Sequence, residues 1–435
     1  MSTVIEPQVQ SLAPGLRPAS AATLPDESWR DFVRDVWERT PVALPRAMDG
    51  PLVDTAELLN ALKAGADSLR AGLAHAQFTV WVGGRKQTDM LPFLPQQQDG
   101  GLQGYLDRVH ALVEGAEFTV LLANPHLFSR TIKHRLRGFL GGLFQQAGYP
   151  CGGWDSGIFL GRYSVTPFGV HRGQMSVMTF PVLGRKRFLM WPRGYGEAHA
   201  DIRDAVKFEA HLAAATDRSV VAGDLLYWPS DVWHVADDEP DFTAALNVGF
   251  WWDRPPLNQA LLTMSEVLAE EVDADPGAEA LRNDEGDRQI TLQPGVTTLP
   301  PELARALDIV YRATRGGAVQ TALQQNWLAF LSGAGVRDLA PLPEAALRIE
   351  PGCRLRPSAP QMVLMSSGAD GELLFAAGGH ACRLPGDARL QAALAPLSAG
   401  QPIEFHPQLL PEGELRTSLL AALSLALGAG AIERA

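Results

Sequence analysis

The feature that most constrains the fold is a series of short β-rich runs between Gly157 and Trp252, separated by turn residues. The runs are Gly157–Val165, Met175–Leu183, Arg187–Trp191, Ser219–Trp228 and Phe242–Trp252. Several short strands at this spacing are typical of a sandwich or a barrel. The sequence Arg254-Pro255-Pro256 predicts the end of the sheet, because proline lacks the N–H that a strand ladder needs.

Helical patterns flank this β-rich region and predict an α+β protein. The segment from about Asp26 to His134 reads as mainly helical with interrupting loops. Apolar residues at helical spacing are Leu102, Leu106 and Val109; Leu257, Leu261, Met264 and Leu268; Leu303, Leu307 and Val310; and Leu323, Trp327 and Leu331. The last hundred or so residues mix short strands (Gln361–Met365, Glu372–Ala376, Ala381–Leu384) with helices, an order that suits a small winged-helix-like unit.

These patterns divide the chain into four predicted regions. They are a flexible N-terminal arm (1–25), a barrel domain with a helical N-terminal part (26–256), a helical segment (257–335) and a winged-helix-like domain (336–435). The apolar stripes of the helical segment predict packing or dimer surfaces, so we expect a homodimer.

Charge, cysteine content and hydropathy exclude several classes of protein. Lys and Arg number 37 against 49 Asp and Glu, and the net charge of −12 argues against a general nucleic-acid binder, although a local basic pocket stays open. The three cysteines lie far apart, which disfavours a disulfide scaffold or a thiolate zinc site and fits a reducing compartment.

The first 25 residues lack the pattern of a signal peptide. The most apolar stretch, Ser418–Ile432, is shorter than the roughly 20 residues of a membrane span and reads as a buried helix. We therefore expect a cytoplasmic protein without membrane contact.

Two histidines in the β-rich region are the candidate metal ligands. His171 lies in the passage Thr166-Pro-Phe-Gly-Val-His-Arg-Gly173, and His234 follows Trp233. Both lie near predicted strand ends, which a rolled sheet can bring together at a barrel mouth, where ligand sites are frequent. Imidazole nitrogen suits Fe(II), Zn(II) or Cu(II), and two histidines with one carboxylate leave open positions for oxygen chemistry. Four nearby tryptophans are candidates for a pocket wall or for the core: Trp228, Trp233, Trp251 and Trp252.

The stretch Gly157–Trp252 resembles the JmjC-type cupin oxygenases, which use Fe(II) and 2-oxoglutarate on a double-stranded β-helix. The passage Trp37-Glu38-Arg39-Thr40-Pro41-Val42 looks like the family's N-terminal approach to its barrel. The order of barrel, helical segment and winged-helix-like end is similar to that of the ribosomal oxygenases. The resemblance implies a hydroxylase acting on a C–H bond of a peptide, a protein or a peptide-like natural product.

The resemblance also implies roles for individual residues. His171 and His234 match the family's metal-binding histidines. Lys186, fifteen residues after His171, matches the basic residue that binds the C5 carboxylate of 2-oxoglutarate. Thr166 matches a hydroxyl position that supports the same carboxylate. Asn247 matches loosely a polar position near the metal.

One position departs from the family pattern. The family has His-x-Asp or His-x-Glu, whereas this chain has His171-Arg172-Gly173. Three outcomes stay open: a water or a chloride in the vacant position, as in related halogenases that have Gly or Ala there; a more distant carboxylate from Asp231 or Asp155; or weak metal binding in a catalytically inactive binding module. A DNA-binding regulator that uses the C-terminal unit is disfavoured, since that end has no dense Lys/Arg run.

Overall fold

The structure, a computed structural model, describes residues 24–236, 241–274, 299, 301–315, 317–343, 347–369 and 371–435. These residues belong to two compact units, one ending at Asp253 and the other beginning at Arg254. The predicted arm at residues 1–25 lies outside the described residues except for its last two positions.

The first unit combines helices with antiparallel strands. Its described helices are α1 (Asp26–Asp35), α2 (Thr55–Arg70), α3 (Leu102–Leu112), α4 (Arg130–Ala147) and the short α5 (Tyr195–Ala198). Its described strands are β1 (Val42–Leu44), β2 (Phe78–Val82), β3 (Arg85–Lys86), β4 (Phe118–Ala123), β5 (Trp154–Arg162), β6 (Met175–Leu183), β7 (Arg185–Trp191), β8 (Thr216–Val221), β9 (Leu225–Trp228), β10 (Trp233–Ala236) and β11 (Phe242–Trp251).

The strands of the first unit form two antiparallel sheets. The large sheet has the order β1-β9-β6-β11-β5-β4-β2-β3, and the small sheet has the order β10-β7-β8. Because side chains alternate along a strand, β6 presents Val177 and Thr179 to one face and Phe180 to the other. Phe180 packs against Phe139 of α4, with ring centroids 5.1 Å apart. The α+β class is therefore confirmed.

The prediction of a mainly helical segment from Asp26 to His134 is wrong in part. Strands β1, β2, β3 and β4 lie in this segment and extend the large sheet. The sequences of β2 (FTVWV) and β4 (FTVLLA) are short apolar runs without clear alternation, and such runs do not distinguish a buried strand from a piece of helix. The predicted run Ser219–Trp228 is two strands, β8 and β9, with a turn at Gly223 that has φ +93°.

The second unit has its own helices, sheets and core. Its described helices are α6 (Pro256–Ala274), α7 (Pro301–Arg315), α8 (Ala318–Ser332), α9 (Ala388–Ser398) and α10 (Glu414–Gly428). Its described strands are β12 (Arg354–Pro357), β13 (Val363–Ser367), β14 (Leu373–Ala377), β15 (His380–Leu384), β16 (Ile403–Glu404) and β17 (Ile432–Arg434). They form the antiparallel sheets β16-β12-β17 and β13-β14-β15.

The predicted Leu-rich helix is confirmed as α10, and it buries Leu419 and Leu423 in the core of the second unit. Within the described part of the chain, no helix is both long enough and apolar enough to cross a membrane.

Candidate active site

A cavity of about 250 Å³ in the first unit is lined from both sheets. Strands β4, β5, β6, β9 and β11 of the large sheet contribute to its wall, and β7 and β10 contribute from the small sheet. The cavity brings together all five candidate residues from the sequence, which are His171, His234, Lys186, Thr166 and Asn247. The structure therefore places them in one site, while their individual roles stay predictions.

The two histidines are held side by side by backbone hydrogen bonds. The His171 N–H donates to the His234 carbonyl at 3.0 Å, and the His234 N–H donates to the His171 carbonyl at 2.8 Å. Their ring centroids lie 4.3 Å apart. The Nδ1 of His171 lies 3.0 Å from the Gly169 carbonyl, and the Nδ1 of His234 lies 2.9 Å from the Val232 carbonyl. A proton on each Nδ1 satisfies these carbonyls and leaves the Nε2 lone pairs for a metal ion.

The surroundings of both rings favour the neutral imidazole. Burial lowers the pKa of His171 below its usual value. Burial, and to a lesser extent the charge of a protonated His171 beside it, lower the pKa of His234 to about 3. Both rings are therefore neutral near pH 7, which is the form that binds a metal.

Lys186 carries a positive charge into the same cavity. Its residue is 2% exposed, and its Nζ donates to the hydroxyl of Tyr163 and lies 4.4 Å from the centroid of that ring. Because side chains alternate along a strand, the arginines on either side of Lys186 belong to the opposite face: Arg185 is exposed, and Arg187 forms an ion pair with Asp217 at 2.8 Å. A buried ammonium is costly in an apolar surrounding, and an anionic ligand offsets that cost by a charge-assisted hydrogen bond.

Four buried polar atoms of cavity-lining residues have no hydrogen-bond partner among the described residues. They are Thr166 Oγ1, Thr179 Oγ1, Trp228 Nε1 and Asn247 Oδ1. An unsatisfied buried polar group costs about 1–3 kcal/mol, so such groups are rare unless a ligand or water completes them. Neutral imidazoles, a buried cation and unsatisfied hydrogen-bonding groups together fit a metal ion with an oxygen-rich anion.

The third metal ligand of the family pattern has no substitute in the described part of the chain. No group of three or more His, Cys, Asp or Glu side chains lies there in a position to hold a metal ion. Asp155 lines the cavity, but its Oδ2 accepts a hydrogen bond from Trp251 Nε1 at 2.8 Å. The contact of Asp231 with this region is through its backbone N–H, which donates to the Gly173 carbonyl at 3.0 Å. Neither candidate carboxylate joins the two histidines in a three-residue group.

Sequence reasoning did not single out several residues of the cavity wall, among them Thr179 and Tyr163. Thr179 and Tyr163 both line the cavity, and Tyr163 contacts Lys186. A signal for Thr179 exists in the sequence, because it is a polar residue inside the apolar strand MSVMTFPVL, where a hydroxyl needs a reason to be buried. Of the four candidate tryptophans, Trp228 lies in the cavity wall, whereas Trp233, Trp251 and Trp252 do not.

The fold is similar to that of solved structures of a ribosomal oxygenase. One such structure is that of YcfD, a ribosomal oxygenase from Escherichia coli, which is 15% identical, with a TM-score of 0.50 over 93% of this chain and 97% of that chain. Another is YcfD in complex with cobalt and succinic acid, at 16% identity, a TM-score of 0.50 and the same coverage. No protein-family model matches the chain, and a comparison with curated protein sequences finds no match. At this level of identity, the likeness establishes the fold.

Proposed function

We propose that this protein is an Fe(II)- and 2-oxoglutarate-dependent oxygenase that hydroxylates a C–H bond. The observation that carries the proposal is the convergence of two neutral imidazoles and one buried ammonium on a single cavity. The ribosomal oxygenase fold supports it, as does the cobalt and succinic acid bound in one of the similar structures.

In this proposal His171 and His234 hold the iron through Nε2. Lys186 pairs with one carboxylate of 2-oxoglutarate, Thr166 supports that carboxylate, and Asn247 is a polar neighbour of the metal. The iron and 2-oxoglutarate together supply the activation of dioxygen. The protein contributes the orientation of both imidazoles and a wall of apolar side chains that includes Phe159 and Phe188 and excludes bulk water.

The finer architecture and the partners belong to the same proposal. We take the two sheets of the first unit as a double-stranded β-helix and residues 336–435 as a winged-helix-like domain. Residues 257–335 would form a homodimer surface, since Leu257, Leu262 and Trp327 are each more than half exposed. The substrate class is a peptide, a protein or a peptide-like product in the cytoplasm, with a protein favoured by the ribosomal oxygenases of the same fold.

The proposal is tested by an anaerobic titration of the metal-free full chain with Fe(II) and then 2-oxoglutarate. We expect a visible metal-to-ligand charge-transfer band that requires both additions. Oxygen should then discharge the band and give succinate. A chain that forms no band and releases no succinate would be a binding module, and the oxygenase proposal would be wrong.

A halogenase is the second candidate, and Gly173 is the observation that favours it. Glycine supplies no ligand side chain, so one more coordination position is available to chloride than in a His-x-Asp site. Halide perturbation of the charge-transfer band distinguishes the two candidates. A shift at millimolar chloride favours halide coordination, and an unchanged band favours hydroxylation.

A further inference from the structure

We propose that Trp228 and Thr179 are ligand-binding residues of the cavity, and that they donate hydrogen bonds to oxygen atoms of a bound dicarboxylate. This inference rests on the proposed function, because 2-oxoglutarate is the dicarboxylate in question. It adds two contacts that neither the sequence motifs nor the fold likeness assigns.

The indole of Trp228 is fixed in the cavity wall. The residue is 3% exposed, and its ring packs against Phe188 and His234 at centroid distances of 5.0 and 4.8 Å. Pairing of Trp228 with Val177 on β6 sets both residues on the cavity face. Its Nε1–H is buried and meets no acceptor in the described ranges. Because an indole N–H only donates, an oxygen atom of a ligand in the cavity would complete it as an acceptor.

The hydroxyl of Thr179 is unsatisfied next to a second unsatisfied group. Thr179 lies on β6 directly opposite Asn247 on β11, and both line the cavity. They do not satisfy one another, because neither Thr179 Oγ1 nor Asn247 Oδ1 has a partner in the described chain. Two neighbouring buried polar groups that do not hydrogen-bond to each other are better explained by binding of a ligand than by stabilisation of the fold.

The kind of atom that these residues need defines the ligand. Trp228 contributes a donor, Thr179 a hydroxyl and Lys186 an ammonium, and they come from β9, β6 and β7. An apolar ligand would leave the indole N–H without an acceptor. A cationic ligand would do the same and would be repelled by the ammonium. An anion with oxygen acceptors at both ends satisfies donors on both sheets at once.

The chain offers a matched control for each residue. Trp233 Nε1 and Thr243 Oγ1 are also buried and without a partner in the part of the chain that the structure describes. Neither residue lines the cavity. Trp233→Phe and Thr243→Val therefore remove the same chemical groups as Trp228→Phe and Thr179→Val, at positions where no ligand is expected.

The experiment measures 2-oxoglutarate affinity by calorimetry on the full chain loaded with Mn(II), together with the melting temperature of the ligand-free protein. We expect Trp228→Phe and Thr179→Val each to weaken 2-oxoglutarate binding about tenfold, as for loss of one hydrogen bond to a charged group. The ligand-free melting temperature of Thr179→Val should be unchanged or higher, because valine keeps the shape and removes an unsatisfied hydroxyl. Trp228→Phe should lower the melting temperature no more than the control Trp233→Phe does, because both replace a buried indole by a smaller ring. Both control variants should bind as the wild type does.

A second readout does not depend on substitution. In the protein labelled with ¹⁵N at tryptophan, addition of 2-oxoglutarate should move the Trp228 indole N–H resonance downfield, while the Trp233 resonance stays in place. Wild-type affinity in both cavity variants, or equal loss in the controls, would overturn the inference and leave the proposed function standing. Absence of 2-oxoglutarate binding to the metal-loaded wild type would overturn both.

Discussion

The two faces of the large sheet carry buried polar groups that differ in whether protein residues complete their hydrogen bonds. On the outer face, the carboxylate of Glu38 accepts hydrogen bonds from Ser176 on β6, from Tyr227 on β9 at 2.9 Å and from Ser230 at 3.1 Å. On the cavity face of the same strands, Thr179 and Trp228 present polar atoms that no described residue satisfies. Neighbouring positions on one strand therefore differ in whether the fold itself completes their hydrogen bonds.

This difference separates groups that stabilise the fold from groups that await a ligand. A complete network lowers the free energy of the folded state without a ligand, whereas an incomplete one costs stability until a ligand binds. The comparison predicts that outer-face changes affect unfolding and leave binding intact, and that cavity-face changes do the reverse.

The largest expected effect on the cavity face is that of His234→Ala. Removal of one of two proposed protein ligands should abolish Fe(II) binding and the charge-transfer band with 2-oxoglutarate. Anaerobic Fe(II) titration measures the loss. The melting temperature of the metal-free chain serves as the control, and a variant that still binds iron with native affinity would contradict the assignment of His234.

On the outer face, Glu38→Ala should lower the free energy of unfolding by about 2–4 kcal/mol, because it leaves the hydroxyls of Tyr227 and Ser176 without their acceptor. Glu38→Gln should cost less, since an amide oxygen still accepts. Urea unfolding measures both. Affinity for Mn(II) and 2-oxoglutarate should match the wild type in the folded variants; a parallel loss of affinity would show that the two faces are not independent.

Lys186→Met tests the charge in the cavity. Methionine keeps much of the side-chain volume but removes the ammonium that contacts Tyr163. We expect 2-oxoglutarate to bind about 10–100-fold more weakly, as for loss of a buried charge-assisted hydrogen bond, while metal binding stays near the wild-type value. Calorimetry on the Mn(II)-loaded protein measures the change. Arg187→Met on the same strand is the control, because its guanidinium pairs with Asp217 instead.

The sequence predicted those cavity residues whose burial follows from a pattern within a single strand. The period-two alternation of β7 predicts that Lys186 is buried between two outward arginines, and that arrangement is observed. The sequence did not predict strand β10, which is only four residues long. It also did not predict strands β2 and β4, because their short apolar runs lack the alternation that identifies a strand. Unsatisfied atoms such as Trp228 Nε1 are beyond any sequence pattern, because whether an acceptor lies nearby depends on packing between segments distant in the chain.

The smallest expected effect, and the one that bears most on mechanism, is that of Gly173→Asp. A Cβ at Gly173 would meet Met175 at 3.6 Å, an ordinary contact, so the backbone accepts a side chain here. An added carboxylate should tighten Fe(II) binding by about tenfold, because it contributes a hard oxygen ligand and a negative charge. It should also remove any shift of the charge-transfer band by chloride, since the carboxylate takes the position that halide would occupy. Gly173→Asn, which is similar in size but uncharged, is the control for simple filling of space. Chloride sensitivity that persists undiminished in Gly173→Asp would mean that halide binds elsewhere and that the open position beside the histidines is not the origin of a halogenase activity.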